Sequence, residues 1–214
     1  MKYIIMCGGH YDEWAVPRQM IRIRGEPVVA RTIRLLRECG VDDIAISTDD
    51  KQFSQFGVPL LSHSNDFIAE GGIVKEGSWV DAFCPMEEPA CYILGDVVFS
   101  PEAIRTIVNT QTDSIQYFAS SPPFPREGYI KRYAEPFAFK VADQARFRAA
   151  IDFVKANRDT GIFCRHPIAW ELWQVINGKS VTDIDYGSYV AVNDYTCDID
   201  CESDAEKIEE VLPS

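Results

Sequence analysis

The sequence of 214 residues has few basic side chains and no long apolar segment. It contains 21 lysines and arginines against 33 aspartates and glutamates, which gives a formal net charge of −12. Nucleic acids and acidic membranes both attract cationic surfaces, so neither is an expected partner. No apolar run approaches the ~20 residues that cross a bilayer. No secretory signal is expected either, because the first apolar run stops at Gly8-Gly9.

Cysteine and histidine are too scattered to define a site by their spacing. The seven cysteines show no C-x-x-C pair, so a zinc site is disfavoured and reduced thiols in a cytoplasmic protein are the simplest interpretation. The three histidines fit no Ser-His-Asp or Cys-His arrangement. The G-x-G-x-x-G and Walker patterns are also absent. The remaining composition is typical of a globular protein, and we expect a single domain over residues 1–214.

Strand and helix patterns alternate along the chain, which predicts an α/β fold. Short apolar runs followed by helical spacing indicate βαβ units with right-handed crossovers. We therefore expect three αβα layers around a mostly parallel sheet, with antiparallel strands near the C-terminus. The predicted strands are Tyr3–Cys7, Asp43–Thr48, Gly57–Leu61, Ala90–Leu94, Ser114–Ala119, Tyr129–Val141 and Tyr189–Val192. The predicted helices are Val28–Cys39, Ile73–Phe83, one starting at Ser100-Pro101-Glu102, Phe147–Val154, Pro167–Gly178 and one with a capping box of Ser203 and Glu206.

Two turns at predicted strand ends are candidate ligand-binding positions. Gly8-Gly9-His10 follows the first strand, and glycines there let backbone N–H groups approach a phosphate. Asp96 directly follows the strand Ala90–Leu94 and Gly95, where a carboxylate is well placed to hold a divalent cation. A tight turn without a ligand and a turn-capping aspartate are the structural alternatives.

A second acidic group lies near the end of the sequence. Asp194, Asp198, Asp200, Glu202 and Asp204 fall within eleven residues. With Asp96, these carboxylates could bind Mg²⁺, which takes one or two carboxylates together with substrate phosphates. A solvated acidic turn before a helix explains the same pattern equally well. Candidate phosphate-binding cations are Arg18, Lys75, Lys131 and Arg132.

These segments resemble, in order, the nucleotidyltransferases of the GT-A fold, which include the cytidylyltransferases and the molybdenum cofactor guanylyltransferase type. The resemblance rests on Ile4–Gly9, Val16–Ile33, Gly71–Val80, Leu94-Gly95-Asp96 and Asp198–Asp204. The family loop usually reads Gly-Gly-x-Gly-x-Arg, whereas this chain has Gly8-Gly9-His10-Tyr11-Asp12-Glu13.

The resemblance implies attack of an acceptor phosphate on the α-phosphorus of a nucleoside triphosphate, with release of pyrophosphate. It places Gly8, Gly9, His10, Gly72 and Lys75 at the nucleotide. It makes Arg18 and Lys75 catalytic cations, with Arg18 at the position of a family lysine. It assigns Asp96 with Asp198 or Asp200 to Mg²⁺, and it implies a sugar phosphate or alcohol phosphate as acceptor.

Two other functions stay open at this stage. A GT-A glycosyltransferase would use a nucleotide-sugar donor, and the departed glycine loop with Asp12 and Glu13 supports it. A non-enzymatic relative would bind a nucleotide or a partner protein without turnover. The spacing of Trp170 and Trp173 indicates either the core or an interface, and with the loop Ser120–Arg126 these residues could form a homodimer contact.

Overall fold

The computed structural model describes residues 1–8, 15–68, 74–76, 79–121, 123–124, 135–183 and 187–213. The strands within these ranges are β1 Lys2–Met6, β2 Arg22–Ile23, β3 Glu26–Pro27, β4 Ile44–Ser47, β5 Leu60–Leu61, β6 Asp66–Ile68, β7 Val74–Glu76, β8 Ala90–Leu94, β9 Val97–Val98, β10 Ile115–Ser120, β11 Glu135–Val141, β12 Val190–Ala191 and β13 Cys197–Asp198. The α-helices are α1 Val28–Glu38, α2 Pro101–Asn109, α3 Gln144–Asn157, α4 Ala169–Ile176 and α5 Glu202–Val211. Short 3₁₀ helices cover Arg18–Met20, Lys51–Phe56 and Trp79–Ala82.

Seven strands form one sheet in the order β12-β10-β11-β8-β1-β4-β5. The pairs of β1 with β4 and β8, of β4 with β5 and of β10 with β12 are parallel. Only β11 runs in the opposite direction in this sheet, because it pairs antiparallel with both β8 and β10. The predicted mostly parallel α/β fold is therefore confirmed. The carboxyl ends of the six parallel strands lie along one edge of the sheet.

Helices cover both faces of this sheet. On one face, α1 and α2 bury apolar residues such as Ile33, Leu36 and Ile104 against the strands. Ser100 begins α2, since its hydroxyl accepts a hydrogen bond from the Ala103 N–H at 2.8 Å. On the other face, α3 and α4 pack aromatic and aliphatic side chains on the sheet. No helix in the described part of the chain is long and apolar enough to cross a membrane.

Two local predictions are wrong. The helix expected over Ile73–Phe83 is absent where the structure describes this segment: Val74–Glu76 is a strand that pairs antiparallel with β6, and Trp79–Ala82 is a 3₁₀ helix. The capping box expected from Ser203 and Glu206 is displaced. Helix α5 begins after Cys201, and the Asp204 carboxylate accepts hydrogen bonds from the N–H groups of Cys201 and Asp200.

The predicted homodimer contact through Trp170 and Trp173 is also wrong, because both indoles are buried inside the chain. Trp170 is 0% exposed and Trp173 is 5% exposed. Trp170 packs edge-on against Tyr117, with ring centroids 4.9 Å apart. A homodimer through the loop Ser120–Arg126 stays a prediction, and most of that loop lies outside the described residues.

Trp170→Ala is expected to lower the free energy of unfolding by about 3–5 kcal/mol, since it empties a fully buried indole site. Urea denaturation measures this change. Phe153→Ala on the outer face of α3 is the matched control, because that ring is 43% exposed and its loss should change stability by less than about 0.5 kcal/mol. If Trp170→Ala kept full stability and light scattering showed a change in molecular mass, the predicted homodimer contact through Trp170 would be supported instead.

Candidate functional site

The site lies at the carboxyl edge of the sheet, where β1 and β8 end side by side. Met6 is in register with Leu94, so the two following turns are neighbours. The first turn carries Cys7 and Gly8, and the second carries Gly95 and Asp96. In open α/β sheets, ligands bind beyond this edge.

Gly95 is required by the close approach of these two turns. Its N–H donates to the Met6 carbonyl at 3.1 Å. A Cβ atom at residue 95 would collide with that carbonyl oxygen and would lie 2.7 Å from the Cys7 Sγ atom. The turn that presents Asp96 is therefore packed directly against the end of β1.

A short antiparallel ladder brings the C-terminal carboxylates to Asp96. Strand β9 pairs with β13, which puts Val97 opposite Asp198. The Ile199 N–H extends this ladder by donating to the Asp96 carbonyl at 3.0 Å. Asp96 and Asp198–Asp200 are thus joined by main-chain hydrogen bonds, although about a hundred residues separate them in the sequence.

Arg18 reaches the same carboxylates from the 3₁₀ helix Arg18–Met20. Its Nη1 atom lies 3.1 Å from Asp200 Oδ1 and 3.8 Å from Asp96 Oδ2. The same nitrogen donates to the Ile199 carbonyl at 3.1 Å. The side chains of Arg18 and Asp96 are only 15% and 19% exposed, so these charges meet in a largely desolvated position.

The electrostatics of this group favour a cation. The pKa of Asp96 is raised to about 6, chiefly by burial and next by the negative charge of Asp198, with a smaller contribution from Asp200, while Arg18 opposes the shift. The pKa of the buried Cys7 thiol is also raised, first by burial and then by Asp96. Any additional positive charge would stabilise the ionised carboxylates.

Of the remaining predicted nucleotide contacts, the structure describes Gly8 and the backbone of Lys75. Gly8 faces the segment 63–65, since a Cβ there would lie 3.6 Å from the His63 carbonyl and 3.7 Å from the Asn65 nitrogen. This segment leads into the β6–β7 hairpin, whose backbone places Lys75 opposite Phe67. Gly9, His10, Gly72, Lys131 and Arg132 lie outside the described residues.

Two other acidic candidates have structural contacts instead. Asp194 accepts a short hydrogen bond from the Ser100 hydroxyl and a second from the Thr196 N–H at 2.7 Å, so it fixes the start of α2. Asp204 is 1% exposed and caps α5, as described above. Of the acidic stretch, the structure therefore brings Asp198 and Asp200 to the site.

The donor set at the site suits Mg²⁺. Carboxylate oxygens are its usual protein ligands, and Asp96 with Asp198 or Asp200 supplies one or two of them. Within the described residues, no group of three or more His, Cys, Asp or Glu side chains is arranged to hold a metal ion by itself.

Sequence reasoning missed one feature of the site, the segment that lies beside Gly8. The contact of Gly8 with Asn65 joins the first turn to a segment that carried no recognisable motif. Asn65 is 7% exposed, and its amide was indistinguishable in sequence from any loop asparagine. The glycine at position 95 did carry a signal, because a glycine before a strand-end aspartate indicates close packing.

Comparisons with known proteins agree with this fold. The family model described as the MobA-like NTP transferase domain matches residues 3–156. The chain therefore belongs to the MobA-like NTP transferase family, and it is a nucleotidyltransferase of that type.

Two solved structures are similar over nearly their whole length. A protein of Bacillus anthracis, provisionally named glucose-1-phosphate thymidylyltransferase and crystallised with sucrose, has a TM-score of 0.59 at 15% identity, over 98% of this chain and 94% of that chain. A UDP-glucose pyrophosphorylase from Acinetobacter baumannii has a TM-score of 0.55 at 13% identity, over 97% and 91%. Identities this low establish the fold alone. No curated protein sequence matches this chain.

Proposed function

We propose that the protein is a Mg²⁺-dependent nucleotidyltransferase that joins a nucleoside triphosphate to a sugar phosphate or alcohol phosphate. The observation that carries the proposal is the convergence of Asp96, Asp198, Asp200 and Arg18 beyond the ends of β1 and β8. Family membership over residues 3–156 supports the triphosphate as substrate. The printed names of the two similar structures favour a sugar phosphate as acceptor.

The reaction requires positioning and charge neutralisation more than acid–base chemistry. A phosphate oxygen of the acceptor forms a bond to the α-phosphorus, and the bond from that phosphorus to the bridging oxygen of the β-phosphate breaks. Pyrophosphate leaves with the bonding electrons. Preorganised positive charge stabilises the negative charge that spreads over the phosphoryl oxygens.

The side chains have distinct roles in this proposal. Asp96, with Asp198 or Asp200, holds Mg²⁺, which neutralises phosphate charge and lowers the cost of pyrophosphate departure when it is bound. At Gly8 the proposed contact with the nucleotide is through the main chain, since the N–H groups of a glycine turn can approach a phosphate closely. Arg18 and Lys75 are the proposed phosphate-binding cations.

Ligand-dependent melting tests substrate binding. Each nucleoside triphosphate and a panel of nucleotide-sugars would be added with and without Mg²⁺. We expect one triphosphate to raise the melting temperature only when Mg²⁺ is present, since a ligand at 100 times its Kd stabilises by about 2.7 kcal/mol. Nucleotide-sugar binding with hydrolysis but without pyrophosphate would indicate the glycosyltransferase. Binding without any turnover would indicate the non-enzymatic relative, and no shift with any compound would contradict the proposal.

A further inference from the structure

Arg18 occupies an unexpected place for a phosphate-binding cation. Its guanidinium contacts Asp200 Oδ1, Asp96 Oδ2 and the Ile199 carbonyl, at 3.1 to 3.8 Å. Two of these contacts, with Asp200 and Asp96, are to the carboxylates assigned to the metal above. The guanidinium and a divalent ion would therefore compete for the same ligands.

The charges around Arg18 explain why it lies there. Asp96, Asp198 and Asp200 place three negative charges close together, and Asp96 is largely withdrawn from water. Leaving such a group without a cation is costly in a medium of lowered dielectric. Arg18 supplies one positive charge at these carboxylates, so it provides part of the neutralisation that a divalent ion would otherwise provide.

The main chain lets the Arg18 side chain move without unfolding its segment. Hydrogen bonds from Met20 N–H to the Pro17 carbonyl and from Ile21 N–H to the Arg18 carbonyl hold the 3₁₀ turn, at 2.8 and 3.1 Å. The Val28 N–H then ties this segment to the start of α1. The arginine side chain has several rotatable bonds, so its guanidinium can change partners while its Cα atom stays in place.

We propose that the Arg18 guanidinium binds the carboxylates of Asp96 and Asp200 when no metal ion is bound. When Mg²⁺ and nucleotide bind, the guanidinium leaves these carboxylates and binds the triphosphate. The assignment of the metal ligands rests on the proposed function. The guanidinium fork suits both partners, since it binds carboxylates and phosphates with similar geometry. Arg18 then lowers the affinity for the metal ion alone and raises the affinity for the metal–nucleotide complex. The metal ion and the nucleotide are therefore expected to bind together.

Metal binding without nucleotide tests the first half of the proposal. Mn²⁺ is the probe, because it prefers oxygen ligands as Mg²⁺ does and its free form is measured by electron paramagnetic resonance. Arg18→Gln is expected to bind Mn²⁺ about tenfold more tightly than the wild type at physiological salt. Arg18→Lys keeps the charge and should stay within about threefold of the wild type.

Arg22→Gln is the matched control for loss of one positive charge. Arg22 lies four residues away, and its guanidinium donates to the Gly25 carbonyl. At physiological salt, its removal should change Mn²⁺ affinity by less than about twofold. If Arg18→Gln loses its melting transition, Arg18→Met keeps the aliphatic stem and carries the same expectation.

Nucleotide binding tests the second half. With saturating Mn²⁺ and the triphosphate that stabilises the wild type, Arg18→Gln is expected to bind nucleotide about tenfold more weakly. Arg18→Lys should recover most of that loss.

Several outcomes would overturn the proposal. Equal or weaker Mn²⁺ binding by a folded Arg18→Gln would show that Arg18 only supports the structure, and tight binding by Arg18→Lys would show that charge is not the cause. Unchanged nucleotide affinity in Arg18→Gln would exclude the transfer. The Mn²⁺ titration needs no turnover. If Arg18→Gln bound Mn²⁺ more tightly but the wild type released no pyrophosphate, the competition between Arg18 and the metal would be supported and the transferase function would be contradicted.

Discussion

Asp96→Asn is expected to stabilise the metal-free protein at pH 8 while it removes most turnover. The folded-state pKa of Asp96 is about 6 against an ordinary value of 3.8, so the folded state binds the proton more tightly than the unfolded state does. The ionised carboxylate therefore costs stability as pH rises from about 4 to 6, and the full cost persists above 6. Two pKa units correspond to at most about 3 kcal/mol, which asparagine would recover.

Urea denaturation of both proteins from pH 4 to pH 8 measures this difference. We expect the advantage of the variant to grow up to about pH 6.5 and then to stay level. Turnover should fall by about 100-fold or more, because the variant loses a charge-neutralising ligand. Asp113→Asn, in the exposed turn before β10, is the control and should leave both properties unchanged. An Asp96→Asn protein that is less stable at pH 8, or fully active, would contradict this assignment.

Gly95→Ala is expected to destabilise the protein by about 1–3 kcal/mol and to displace the carboxylate of Asp96. The added methyl group would clash with the Met6 carbonyl and the Cys7 sulfur. The backbone at the end of β1 cannot move away without disturbing the central sheet. Denaturation measures the loss of stability, and Mn²⁺ titration measures the loss of the metal site.

Gly8→Ala is the matched control for this packing effect. A Cβ at residue 8 would make ordinary contacts with His63 and Asn65, the nearest at 3.6 Å. Its stability should therefore stay within about 1 kcal/mol of the wild type. Equal stability of the two alanine variants would show that the two turns are not packed as described.

The sequence predicts the parallel part of the fold well because its signals are local. Strands β1 and β4 contain short, continuous apolar runs, and helix α1 has apolar residues at helical spacing between Pro27 and Gly40. The β6–β7 hairpin was missed because each of its strands has three residues, and only pairing between them distinguishes it from helical spacing. Trp170 and Trp173 illustrate another limit, since spacing on a helix does not say whether the face meets the core or a partner.

The candidate site was predictable in composition but not in arrangement. The position of Asp96 after a buried strand is a local signal. The approach of Asp198 and Asp200 depends on the β9–β13 ladder, which joins segments about a hundred residues apart and leaves no local pattern. The contact of Arg18 with these carboxylates follows from the same ladder, so the sequence could name this cation but not its partner.

Release of pyrophosphate tests the central claim most directly. The assay combines the wild-type protein, Mg²⁺, the triphosphate that raises its melting temperature and a panel of sugar 1-phosphates and alcohol phosphates. We expect pyrophosphate in equal amount to a nucleotide-linked product, dependent on the acceptor and nearly absent in Asp96→Asn. A protein that binds the triphosphate yet releases no pyrophosphate with any acceptor, or an Asp96→Asn variant as fast as the wild type, would contradict it.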